Sequence, residues 1–241
     1  MLKLVITGRR KPGQTLRAHR RHMKDVHGPL VLENIAVEPE RAPHRYVQNH
    51  VCDGTFAAGS GPLSLARDFV TEVWFPDGAV AKASRETPFY LERLRDDEDN
   101  MVDPASVIGM PTVETLVSTD RAAAACPIKV FGLLAFADGV EPAAFEPGWK
   151  AALPGVAKGK ARQHVASRPL VKTPISWIDA FWLPDEEAAQ DFAARYQTDI
   201  IAPLEAAGLL AGGGSNVLIA RQYVLHAGER QFDIRYSEEF K

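Results

Sequence analysis

Cysteine is nearly absent: Cys52 and Cys126 are the only two in 241 residues. So sparse a supply excludes a disulfide scaffold, and no Cys/His spacing matches a zinc finger. An excess of positive charge is missing too. Lys and Arg number 28 against 31 Asp and Glu, for a formal net charge of -3, whereas a nucleic-acid binder shows a basic surplus gathered on one face. The one basic cluster, Arg9, Arg10, Lys11, Arg17, Arg20, Arg21 and Lys24, is small and offset by acids elsewhere. Nucleic acid is therefore not an expected partner. Apolar runs stop well short of the ~20 residues that span a bilayer. The first eight residues are too short for a signal peptide and meet basic residues at once. The expectation is a cytoplasmic protein with no membrane partner. Phosphate-binding signatures are lacking as well. Gly212-Gly213-Gly214 precedes a strand rather than a helix and has no Lys, so it reads as a turn. There is no Gly-x-Gly-x-x-Gly, nucleophile elbow or Cys-His pair. No site for a metal, haem, flavin or nucleotide can be read, and the expected cofactor is none.

What is present is an ordinary globular composition, 46% hydrophobic and 24% charged, enough for one large domain or two of about 110–120 residues. Leu2 to Thr7 reads as a strand, followed by a Lys-Pro-Gly turn. A helix starts at Thr15, whose hydroxyl can cap it, and runs to about His27, where Gly28-Pro29 interrupts it. Arg45–Val51 and Asp68–Phe75 are strands, Ala79–Leu94 is a helix and Thr112–Ser118 a strand. The order is β-α-β-β-α-β. It recurs: strand Lys129–Phe136, helix Pro142–Ala152 weakened by Pro147-Gly148, strands Arg162–Ser167 and Trp177–Leu183, helix Glu186–Tyr196, strand Asn216–Leu225. Trp74-Phe75-Pro76-Asp77 and Trp182-Leu183-Pro184-Asp185 fall at the same step of both halves, which marks an internal duplication. The expected fold is α+β: two tandem ferredoxin-like modules, residues 1–120 and 126–241, packed as a dimeric α/β barrel. Arg121–Ala125 is the expected linker. A four-stranded sheet with helices on one side must cover its other face, so an internal pseudo-dimer follows, and a further homodimer is an option.

The first half resembles the EthD family of the dimeric α/β-barrel superfamily. The resembling residues are Arg10-Lys11-Pro12-Gly13, Val26-His27-Gly28-Pro29-Leu30-Val31, Arg45-Tyr46-Val47-Gln48-Asn49-His50 and Glu72-Val73-Trp74-Phe75, in order over residues 1 to 118. The second half lacks a His-Gly-Pro segment, and Arg162-Gln163-His164-Val165 is a faint copy of the second-strand motif. The resemblance implies a small aromatic or lactone substrate held between sheet and helices and worked on by His, Tyr or Asp groups. Superfamily relatives include polyketide cyclases, muconolactone isomerase, quinone-forming monooxygenases and decarboxylases. It also implies that His19 and Met23 stand where the family usually has Phe and Trp.

His27 leads the candidates for catalysis, because an unperturbed imidazole near pKa 6.5 suits a general acid or base. The bland alternative is an anchor for the helix end. Tyr46, Gln48 and His50 share one face of their strand by its period of two, where Tyr46 could stabilise an enolate and His50 move a proton, or where all three form a polar ladder at a sheet rim. Leu16, His19, Met23 and Val26 trace an inward helical stripe, which places His19 and Met23 at the substrate or in the core. His19 and His22 carry a weak metal alternative without a third ligand. Asp25 is expected to face solvent. Glu72 pairs with Trp74 by strand parity and could orient a histidine. Trp74, Phe89, Tyr90, Trp177 and Trp182 are pocket walls or core. Asp179 has no motif around it. The expected function is a cofactor-independent acid–base enzyme (cyclase, isomerase or lyase) in the N-terminal module, with a mainly structural C-terminal module. A non-catalytic small-molecule binding or stress-response protein, and a cofactor-free monooxygenase, are the alternatives.

Overall fold

The computed structural model describes residues 1–52, 67–157 and 161–228. Its strands are β1 (Leu2–Gly8), β2 (Arg45–Val51), β3 (Phe69–Phe75), β4 (Ile108–Thr119), β5 (Ile128–Leu134), β6 (Gln163–Pro169), β7 (Trp177–Leu183) and β8 (Asn216–His226). Their hydrogen-bonded order, β1-β3-β2-β8-β5-β7-β6-β4, closes as a barrel. Two compact units divide the described residues: 1–50, 67–112 and 223–228 in the first, 51–52, 113–157 and 161–222 in the second. These limits differ from 1–120 and 126–241 at the strand ends, and residues 229–241 lie outside the described residues. Arg121–Ala125 is a short 3-10 turn whose Ala122 N–H donates to the Asp120 side chain.

In the first unit β1 pairs with both β3 and β4, and β3 with β2, all antiparallel. The register sorts the side chains. Tyr46, Gln48 and His50 stand beside Val73, Thr71 and Phe69 on one face; Arg45, Val47 and Asn49 stand beside Trp74, Glu72 and Val70 on the other. The first face meets the helices: Tyr46, Val73 and Phe75 pack with Val31, Tyr90 and Leu94.

The first helix departs from expectation. It comprises α1 (Leu16–His22), a π-helical turn (Met23–His27) and α2 (Gly28–Val37). Thr15 caps it as expected, accepting from the Ala18 N–H at 3.1 Å. Gly28-Pro29 does not end it. The Gly28 N–H reaches back five residues to the Met23 carbonyl, and the widened turn makes room for the Pro29 ring, which sits in the first turn of α2 where no N–H is needed. The extra residue also rotates the inward stripe. Val26 is 42% exposed, while His27 is 7% exposed and takes the inward place. The next helical segment is broken too: α3 (Gly78–Ala83), a π turn (Tyr90–Leu94) and α4 (Arg95–Met101) replace the single helix expected to Leu94.

The second unit follows the same element order, with α5 (Pro142–Ala157), α6 (Glu186–Tyr196), a π turn (Gln197–Ile201) and α7 (Ala202–Ala206). Helix α5 continues across Pro147-Gly148, where Gly148 lets Leu209 approach; a Cβ there would lie 2.7 Å from its Cδ1. The tetrapeptides Trp74–Asp77 and Trp182–Asp185 hold matching positions. Lys3 pairs with Trp74 and Lys129 with Trp182, each ammonium lying over the indole. Asp77 and Asp185 each cap the helix that follows. No described helix is long and apolar enough to cross a membrane.

Candidate active site in the N-terminal unit

Two rows of side chains meet on the helix-facing side of the first sheet. The helix supplies His19, Met23 and His27; strand β2 supplies His50, Gln48 and Tyr46, and all six are buried. At one end the His27 ring stands edge-on to Tyr46, with centroids 6.5 Å apart. In the middle the Gln48 amide donates to the Met23 carbonyl at 2.9 Å and to the Tyr46 hydroxyl at 2.8 Å. At the other end His19 lies 5.6 Å from Phe69, the cross-strand partner of His50. Because the Gln48 nitrogen donates twice, its Oε1 can only accept, so the contact to His50 Nε2 at 2.9 Å places a proton on that nitrogen. Tyr46 is thus held through its oxygen, and its own proton has no acceptor among the described residues.

His27 is oriented by a carboxylate. Its Nδ1 lies 2.9 Å from Asp97 Oδ2, and His22 Nε2 lies 2.6 Å from Asp97 Oδ1. Burial alone would raise the Asp97 pKa, but hydrogen bonds from His27 and His22 outweigh it and hold the carboxyl below its ordinary value. An ionised Asp97 accepts only, so His27 carries its proton on Nδ1 and turns the Nε2 lone pair away from the carboxylate. This is the arrangement of a base: an imidazole fixed in one tautomer, with an anion waiting to stabilise the imidazolium. His22, at 23% side-chain exposure, reaches solvent.

The other predicted residues divide between this face of the sheet and the opposite one. Tyr46 is pushed well above its ordinary pKa, chiefly by burial, so it is a neutral O–H donor. His50 is pushed down to about 3, chiefly by burial and then by His19, Arg20 and Lys24. In its neutral form His50 donates from Nε2 to Gln48 Oε1. Glu72 and Trp74 lie on the opposite sheet face from Tyr46 and His50. The Glu72 carboxylate meets Lys3 at 2.7 Å and the Asn49 amide at 3.0 Å and orients no histidine. Tyr90 packs with Tyr46 and joins Arg85 and Glu98 through its hydroxyl. Asp25 is exposed, as expected, beside Arg21. His19 and His22 do not converge: one meets the Met101 carbonyl, the other Asp97. Among the described residues no group of three His, Cys, Asp or Glu side chains is arranged to hold a metal.

Asp97 escaped the sequence reading. It sits in the run Asp96-Asp97-Glu98-Asp99, which reads as a solvated helix face, and only its buried position at 8% exposure separates it from its neighbours. Asp179 was underrated in the same way. In the second unit its fully buried carboxylate accepts from Trp149 Nε1 at 3.0 Å, His164 Nε2 at 2.8 Å, Trp177 Nε1 at 3.2 Å and the Tyr196 hydroxyl at 2.5 Å. Four donors saturate it, inside an apolar core of Phe145, Phe181 and Phe192.

The imidazole–carboxylate pair and the buried tyrosine beside it lie together in the first unit. Residues 11–105 match the model of the EthD domain. No curated protein matches the sequence. Solved structures share the fold at low identity. An anthrone oxidase-like protein aligns with TM-score 0.52 and 13% identity, covering 95% of this chain and 94% of its own. A candidate chlorite dismutase aligns at 0.51 and 9%, covering 95% and 96%. A candidate monooxygenase from Fusobacterium nucleatum subsp. nucleatum aligns at 0.50 and 8%, covering 93% and 92%.

Proposed function

We propose that the N-terminal unit is an acid–base enzyme that removes a proton from a small carbonyl-bearing carbon acid without a cofactor. The observation that carries this is the 2.9 Å contact from Asp97 to His27 Nδ1, which leaves Nε2 as the base. Nε2 takes the substrate proton, Asp97 stabilises the imidazolium, and the Tyr46 O–H, fixed by Gln48, donates to the developing enolate oxygen. Returning the proton elsewhere on the substrate gives isomerisation; attack by the enolate carbon on an internal carbonyl gives cyclisation; expulsion of a β-substituent gives a lyase. The monooxygenase and anthrone oxidase-like names of two structural relatives support a second reading, in which the same carbanion reacts with dioxygen. The proton abstraction is common to all.

That step is tested directly. The protein is incubated in D2O with a panel of aromatic ketones and hydroxyketones, and exchange of the acidic C–H is followed by proton NMR. At least one member should exchange faster than in buffer. His27→Gln should remove on the order of 10²–10⁴-fold of that rate without loss of fold. If no member exchanges, or if His27→Gln exchanges as the native protein does, the base is misassigned and a binding role takes its place.

A further inference from the structure

His19 is fully buried, and its two ring nitrogens have different fates. Nδ1 lies 3.0 Å from the Met101 carbonyl oxygen, which only accepts, so Nδ1 carries the proton and Nε2 keeps its lone pair. Nε2 is buried and has no hydrogen-bond partner among the described residues. An empty buried acceptor is costly, and such atoms are rare enough in folded proteins to call for a reason.

The surroundings of His19 indicate what would fill it. Its ring is tilted 5.6 Å from Phe69, and Phe69 is the cross-strand neighbour of His50. His50 spends its Nε2 proton on Gln48, so it too turns a lone pair outward, and its ring packs 4.5 Å from the half-buried Tyr223. The side chains around His19 are therefore aromatic and rich in acceptors. Burial lowers the basicity of both imidazoles, His50 to about 3, with the nearby cations Arg20 and Lys24 adding to the effect there. Neutral acceptors repel a carboxylate and attract an O–H group.

We infer that His19 Nε2 is the acceptor for the neutral hydroxyl of a phenol-type ligand whose ring lies against Phe69 and His50. This rests on the acid–base reading for the identity of the site and adds the class of substrate. The ligand is a hydroxylated aromatic carbonyl compound, its O–H read by His19 and its reacting carbonyl served by Tyr46.

Binding tests it without turnover. Native protein, His19→Phe and His19→Gln are titrated with 2-naphthol, 2-methoxynaphthalene and 2-naphthoate at pH 7 by calorimetry. The native protein should prefer naphthol to its methyl ether by roughly five- to tenfold, the worth of one net hydrogen bond, and should not prefer naphthoate. His19→Phe should bind alcohol and ether alike. His19→Gln can donate to the Met101 carbonyl and still offer an acceptor, so it should keep part of the preference. In 15N-histidine spectra the His19 Nε2 resonance should move with naphthol and not with the ether. Equal affinities in the native protein, tighter binding of naphthoate, an unmoved Nε2 resonance or no binding of naphthol overturns the inference. His27→Gln separates the two proposals. Lost exchange with the naphthol preference intact is what both predict; exchange at the native rate with the preference intact sinks the acid–base reading alone, and His27-dependent exchange in a native protein that shows no naphthol preference sinks the hydroxyl seat alone.

Discussion

Replacing Asp97 with Asn probes the arrangement most directly. The side chain keeps its shape, but two acceptor oxygens become one acceptor and one donor. The native carboxylate faces two imidazole nitrogens, at 2.6 and 2.9 Å, so Asn cannot satisfy both in their native tautomers. Two outcomes bracket the effect. If the amide oxygen stays on His27, the tautomer survives but the imidazolium loses an anionic partner. A hydrogen bond to a charged group is worth about 1.5–3 kcal/mol against about 1 for a neutral one. The difference of about 0.5–2 kcal/mol slows proton abstraction roughly 2- to 30-fold. If the amide nitrogen turns to His27 instead, the ring proton moves to Nε2 and the base is blocked, with a loss on the order of 10²–10⁴. Long-range 1H–15N spectra of the resting protein show which nitrogen carries the proton, and the D2O exchange assay gives the rate. His22→Gln is the control, because glutamine can still donate to Asp97. A native His27 protonated on Nε2, or exchange in Asp97→Asn within twofold of native, would refute the assignment.

Acid should weaken the fold through His50. Its folded pKa, about 3, lies below the unfolded value near 6.5, so the unfolded chain takes up this proton first. Stability then falls as pH drops from 6.5 towards 3, by on the order of a few kcal/mol. His50→Gln should narrow the gap between urea midpoints at pH 4.5 and pH 7; an unchanged gap would contradict the burial of this ring. Asp97 acts further down the scale: its lowered pKa gives stability that is present above about pH 3.9 and lost as pH falls through the folded value. Asp179→Asn in the second unit presents a donor to Trp149 or Tyr196 and should cost about 2–4 kcal/mol, or roughly 4–16 °C in Tm, with the His27 tautomer unchanged in the same spectra. Glu72→Gln removes an anion from beside the buried Lys3 ammonium and should cost about 3–5 kcal/mol in chemical denaturation, with naphthol binding retained once the protein is folded.

Elements were more legible than phase. Strands Arg45–Val51 and Trp177–Leu183 and helix Glu186–Tyr196 stand at the bounds expected, because apolar periodicity and capping residues act locally. The parity of β2 was legible for the same reason, and it placed Tyr46, Gln48 and His50 together. Helical phase was not. A π turn has no composition of its own, so the stripe through Leu16, His19 and Met23 extrapolated to Val26 instead of His27. Nor could spacing show that Asp97 is the inward member of its acidic run, since that depends on a second π turn at Tyr90–Leu94 immediately before it. The pairing of His27 with Asp97 spans 70 residues and belongs to tertiary structure alone.

The π turn at Met23–His27 makes the site a matter of counting. Each further residue advances a helix by about 100°, so removing one residue from Met23–His27 would act as a frameshift in space. Gly28 and Pro29 would inherit the bearings of their predecessors, and the whole of α2 would turn with them. The composition of the helix would hardly alter, yet the imidazole would leave Asp97 and Tyr46. In this helix a single insertion or deletion weighs more than most substitutions, and homologues that differ by one residue between Thr15 and Pro29 should differ in chemistry even where every named side chain is kept.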